Sequence, residues 1–69
     1  MDKELIGTNA GKIWQRLEHG ELTDTSINKV KKDCQLNSIE FFLALGWLAR
    51  ENKVKFLEGE KKVFVFPNE

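Results

Sequence analysis

The stretch LNSIEFFLALGWLARENK, residues 36–53, decides how the rest of the chain is arranged. Asn37 stands three residues before Glu40, the spacing at which an Asn and a Glu side chain cap each other's backbone N–H groups at a helix start. The helix this predicts begins near Ser38 and runs to about Glu51, where Asn52 tolerates the left-handed conformation that ends many helices. Between Ile39 and Arg50 the only charged residues are Glu40 and Arg50. At about 100° per residue, Phe41, Ala44, Leu45 and Leu48 share one arc, the stripe expected against a core. Ile39, Phe42, Leu43, Gly46 and Arg50 fall on the side facing away. A helix with two apolar sides needs two covers, and the chain has only one core to offer.

Upstream, ELIGTNAGKIWQRLEHG places Ile6, Ala10, Ile13, Trp14 and Leu17 three and four apart, which predicts a first helix with Gly20 as its stop. Gly7 and Gly11, one turn apart, each weaken that helix, and the expectation is that another element packs close against them. In ELTDTSINKVKKDCQL, Leu22 precedes a cap cluster of Thr23, Asp24 and Thr25, and Ile27, Val30 and Cys34 repeat with helical spacing. A short second helix follows, joined to the third by a tight turn around residues 35–37.

Downstream the period changes. In KVKFLEGEKKVFVFP, Val54 and Phe56 lie on one strand face and Lys53, Lys55 and Leu57 on the other. After a turn containing Gly59, Val63 and Val65 stand opposite Phe64 and Phe66, so the segment reads as a β-hairpin closed off by Pro67.

With 69 residues the chain is one domain, residues 1–69, near the size at which a single core is just sufficient without disulfides or metal. Eleven basic and eleven acidic residues cancel, so any nucleic-acid binding has to come from a local patch rather than from overall charge. Cys34 is the only cysteine, which rules out an internal disulfide, fits a reducing compartment and suits a small core residue. The N-terminus has no leader-like apolar run and no stretch reaches the roughly 18 apolar residues of a membrane span. The expectation is a soluble, cytoplasmic protein without membrane attachment.

The residues of common catalytic and metal chemistries are not assembled. His19 is the only histidine and belongs at the end of the first helix, where it serves the last carbonyls. One histidine and one cysteine do not make a four-ligand zinc set. The glycines match neither phosphate-loop spacing, and no serine sits in a nucleophile turn. Glu58 and Glu60 flank a turn and are expected to stay solvated, whereas a glycosidase-like carboxylate pair needs a cleft that a domain of this size is not expected to provide. No catalytic residue, metal ligand, cofactor or small-molecule substrate is expected, and an enzyme is not.

Three helices followed by a C-terminal β-hairpin wing, with a tight turn between the second and third helices, is the α+β order of a winged helix-turn-helix domain. Leu45, Leu48, Asn52 and Val54 stand where that fold commonly shows a leucine pair, a small helix-ending residue and the first wing strand. IGTNAGKIWQRLEHGEL and ALGWLARENKVKF together resemble a family of short bacterial winged-helix proteins of unknown function, over nearly the whole chain. The resemblance implies a fold and a non-enzymatic module, and it brings no catalytic residues with it. Fold alone does not settle function.

In a DNA-binding winged helix the outer side of the third helix offers Arg, Lys, Asn, Gln or Ser to base edges. Here Ile39, Phe42 and Leu43 cannot make such hydrogen bonds. Three covers can be weighed. In the first, a second copy of the chain packs helix three against helix three, with Ile39, Phe42, Leu43, Gly46 and Arg50 as a self-complementary homodimer interface. In the second, the hairpin or the first helix wraps round and the side is internal core. In the third, a protein partner or nucleic acid covers it. Trp47 fits a core edge, an interface anchor or a half-exposed packing residue. A rival reading makes the chain a DNA-binding regulator with Lys29, Lys31 and Lys32 of the second helix and Lys53, Lys55, Lys61 and Lys62 of the wing on phosphates. Against it, helix lysines are often only solvated, and wing lysines often only guard a strand edge.

Overall fold

The computed structural model describes residues 2–20 and 24–68. Three helices, α1 (Lys3–Glu18), α2 (Ile27–Cys34) and α3 (Ser38–Arg50), precede an antiparallel hairpin of β1 (Val54–Glu58) and β2 (Val63–Pro67).

Local chemistry sets the helix ends. The Asp2 carboxylate accepts the Glu4 N–H at the start of α1. At its end the backbone N–H of His19 reaches the Gln15 carbonyl, and Gly20 turns away at φ 66° while donating to Leu17. The contribution of His19 is thus made by its backbone. The capping box at α3 is complete: Asn37 Oδ1 accepts from Glu40 N at 2.8 Å and Glu40 Oε1 accepts from Asn37 N at 3.3 Å. Gln35, left-handed at φ 57°, makes the α2–α3 turn, and Asn52, at φ 60°, ends the run that follows α3.

The start of α2 differs from the expectation. Its N-cap is Ser26 rather than the Thr23, Asp24 and Thr25 cluster, of which Thr23, like Leu22, lies outside the described residues. Asp24 Oδ1 instead accepts the Ser26 N–H at 2.9 Å, the Thr25 carbonyl accepts the Val65 N–H, and Ser26 bridges Phe64. Pairing with β2 claims these backbone groups first, so the polar cluster becomes a short edge on the hairpin and the helix begins behind it.

The core draws on every element. Ala10, Ile13 and Leu17 meet Val30, Cys34 and Leu36, then Phe41, Ala44, Leu45 and Leu48, with Val54 and Val65 from the hairpin. The inward arc of α3 is the one its periodicity predicts. Burial pushes the Cys34 thiol up from its ordinary pKa and keeps it protonated. In the hairpin Phe56 opposes Val65 and Val54 opposes Pro67, so Pro67 forms the last rung instead of lying beyond it. Within the two strands Val54 and Val65 are buried, while Phe56, directly opposite Val65, and Leu57 stand exposed.

One sequence expectation fails against the packing, and one buried residue was not foreseen. A Cβ built on Gly7 or Gly11 would meet nothing within 4 Å, so no element approaches them closely. Asn9, in the same helix, is buried, although its polar side chain gave no reason to place it on the inner face, and its Nδ2 finds no partner among the described residues.

Candidate interaction surface

The side of α3 opposite the core is open. Ile39 is 68% exposed, Phe42 50%, Leu43 46% and Trp47, on the flank, 43%. Neither the hairpin nor α1 wraps around to cover it, so the internal-core reading of this side is set aside. Gly46 and Arg50 are exposed on the same side, and a Cβ at Gly46 would meet nothing within 4 Å. At about 200 Å² for a large apolar side chain, the exposures of Ile39, Phe42 and Leu43 amount to roughly 330 Å², the size of the largest patch on many monomers, which is often functional. Ser38, Ile39, Phe42 and Leu43 line a shallow concavity at the N-terminal end of the face, nearly all of it apolar. Phe42 is oriented from within, because its ring meets the buried Phe41 edge-on at 5.2 Å and 79°.

The seven lysines singled out by sequence do not form one patch. Lys29 and Lys32, one turn apart on α2, and Lys61 and Lys62, from the hairpin turn, line a single groove of 490 Å³ together with Asn28, Ser26, Asp24, Ile27, Val63 and Phe42. Lys31 and Lys55 do not line it, and Lys53 lies elsewhere, its Nζ 5.8 Å from the centre of the Trp14 ring. Phe42 belongs to the walls of both the basic groove and the apolar concavity, so the two surfaces are continuous through one ring.

Asp24 is the carboxylate in this groove. Its pKa is held below the ordinary value, first by the hydrogen bond from the Ser26 backbone, then by that from the Ser26 side chain, and further by the charges of Lys62 and Lys29. It fixes the edge segment and takes away part of the groove's positive charge. Sequence reasoning grouped all seven lysines but did not separate these four or join Phe42 to them: the two lysine pairs are about thirty residues apart, and the Ser26–Phe64 bridge and the hairpin bring them to one groove.

On another side of the molecule both tryptophans contribute to a groove of 320 Å³ between α1 and α3, with Gly7, Ala10, Gly11, Leu48, Glu51 and Lys53. The two glycines form part of its lining, which is where their missing side chains leave space. Arg16 and Asp33 pair at 3.2 Å between α1 and α2, away from these surfaces. Among the described residues no helix is long and apolar enough to cross a membrane, and no group of three or more His, Cys, Asp or Glu is placed to hold a metal.

A three-helix unit with a tight α2–α3 turn, a hairpin after α3 and an edge segment paired to that hairpin defines a winged helix-turn-helix domain. The chain belongs to the winged helix-turn-helix domain family DUF2582, whose family model matches residues 1–67. It is 44% identical over 57 residues to an uncharacterised protein of the archaeon Methanocaldococcus jannaschii, spanning 83% of this chain and 81% of that one. The solution NMR structure of a protein from Bacteroides thetaiotaomicron superposes with a TM-score of 0.79 at 37% identity, over 97% of this chain and 79% of that chain. Its relatives therefore include an archaeal protein, where the sequence resemblance had suggested bacterial ones.

Proposed function

We propose that this chain is a non-enzymatic interaction module that forms a homodimer through the outer face of α3. The observation that carries the reading is the exposure of Ile39, Phe42 and Leu43 on one side of a helix whose other side is the core. The residues a winged helix would turn toward base edges are here apolar, and covering them gains about 25 cal/mol per Å² before ordering and association costs.

A second copy is the occupant this face suits best. A twofold axis doubles roughly 330 Å² of apolar patch to about 650 Å², and Gly46, Arg50 and a polar rim add area toward the ~1,200 Å² at which stable interfaces begin. Gly46 lets the two helices cross closely near the middle of the face. In an antiparallel crossing the Arg50 end of each helix lies beside the Glu40 end of the other, so the two charged residues of α3 answer each other twice. Arg50 also sits in the last turn and Glu40 in the first, where the helix dipole favours each.

The test is molar mass by light scattering after size exclusion, over a hundredfold dilution, for the wild-type chain and for Phe42→Glu and Leu43→Glu. The expected result is a wild-type dimer and two folded monomers with unchanged circular dichroism. A wild-type chain that is monomeric at every concentration would overturn the proposal.

A further inference from the structure

We infer that the groove between α2 and the hairpin turn binds a single-stranded nucleic-acid segment, its phosphates on Lys29, Lys32, Lys61 and Lys62 and a base against Phe42. This assignment does not rest on the dimer reading, but it shares Phe42 with the dimer face, so a second copy and a bound strand compete for that ring.

The charge is the first argument. The chain is neutral overall, yet four lysines meet in one groove with a single carboxylate among them. They stand on two rims, Lys29 and Lys32 on a helix and Lys61 and Lys62 on a turn, so a polyanion lying between them is neutralised from both sides. The second argument is the aromatic wall. Proteins that hold single strands pair a positive groove with aromatic faces on which bases stack. Phe42 is half exposed, it is held edge-on by Phe41, and it is the aromatic residue lining the groove.

Size and chemistry select among polyanions. A concavity of 490 Å³ has the dimensions of a site for one or two small groups. A duplex lying across it would keep its base faces stacked on each other and closed to Phe42. On the neighbouring face of α3, Ile39, Phe42 and Leu43 carry no donors or acceptors for base edges, and Arg50 stands at the far end of the helix. An acidic peptide would satisfy the lysines but has no regular planar group for the ring, while each nucleotide supplies both a phosphate and a π-face.

The experiment is fluorescence anisotropy with a labelled twelve-residue oligothymidylate, a duplex of the same length and a twelve-residue polyglutamate peptide. It uses the full chain and also Leu43→Glu, which leaves the groove intact and removes any contribution from dimerisation. Four phosphate contacts predict a slope of about −2.8 in log K against log salt for a single strand, or about fiftyfold weaker binding at 200 mM than at 50 mM. Lys29→Glu and Lys62→Glu should each abolish most of the binding and flatten the slope. Phe42→Leu should weaken it about tenfold at unchanged slope, through lost stacking. Asp24→Asn, which keeps an acceptor for Ser26, should tighten it. Circular dichroism verifies that each variant is folded. Duplex or polyglutamate bound as tightly as the oligothymidylate, indifference to Phe42→Leu, or no binding at low salt would each overturn the assignment.

Discussion

Asn68 fastens the C-terminal end of the hairpin to the end of α3 through Asn52. Its Nδ2 donates to the Asn52 carbonyl at 2.9 Å and to Asn52 Oδ1 at 3.1 Å, while its backbone N–H donates to the Lys53 carbonyl at 2.8 Å. Asn52 is itself left-handed, a conformation that Asn accepts more readily than other residues with a side chain. Asn68→Ala removes both side-chain bonds and should cost about 1 kcal/mol, since exposed hydrogen bonds have modest net worth. In a domain of this size that lowers Tm by about 4–8 °C. Asn52→Val removes only the Oδ1 acceptor, since the bond to the backbone carbonyl of residue 52 remains, but it should cost more because it puts a β-branched residue at positive φ. Thermal melts of the two variants check the order, and equal melting temperatures would show that the backbone conformation of residue 52 costs no more than one exposed hydrogen bond.

Gly7 and Gly11 should be replaceable with profit. Both lie inside α1, and a Cβ at either meets nothing within 4 Å. Gly→Ala in a helix interior gains about 0.5–1 kcal/mol when nothing clashes. Gly7→Ala and Gly11→Ala should each raise Tm, and the double variant should show roughly the sum. A loss of stability in either would mean that a neighbour does come close there.

The same two glycines mark where sequence reading stopped. A missing side chain says that space is needed but not whether a neighbour fills it, and here the space stays open as a groove beside Trp14 and Trp47. The order of elements, the capping box at Asn37 and Glu40, and the inward arc of α3 were legible because each depends on residues within one or two helical turns. The start of α2 was not, because its flank is claimed by pairing with β2, a contact nearly forty residues away. For the same reason the seven candidate lysines read as one set in sequence, whereas four of them share the groove at Phe42 and Lys53 lies over Trp14.

Asp24 should make stability fall at acid pH. Its carboxylate accepts from Ser26, and its pKa in the folded chain is lowered from an ordinary value of 3.8. A depressed carboxylate pKa means that the folded state favours the ionised form. The contribution is therefore present above pH 3.8 and is lost as pH falls below it, through the folded-state value. Asp24→Ala should be less stable than wild type at pH 7, and the gap should narrow as pH is lowered from 4 toward 2.5. Urea unfolding midpoints at a series of pH values measure the gap. A constant gap would mean that the segment is held by its pairing with β2, independently of the charge.

Gly46→Ala separates the intrinsic stability of α3 from its proposed use. In a single copy the added methyl meets nothing within 4 Å, so helix propensity alone should stabilise the fold by about 0.5–1 kcal/mol. Where two helices cross at this residue, the same methyl holds their backbones apart and loosens the packing of Phe42 and Leu43 around the crossing. The substitution should thus raise the melting temperature of the Leu43→Glu variant while shifting the proposed wild-type dimer toward monomer on dilution. Stabilisation with no change in the dimer's dissociation would place the crossing away from Gly46. The apolar face would then have to meet its second copy through Ile39 and Phe42, at the opposite end of the helix from Arg50.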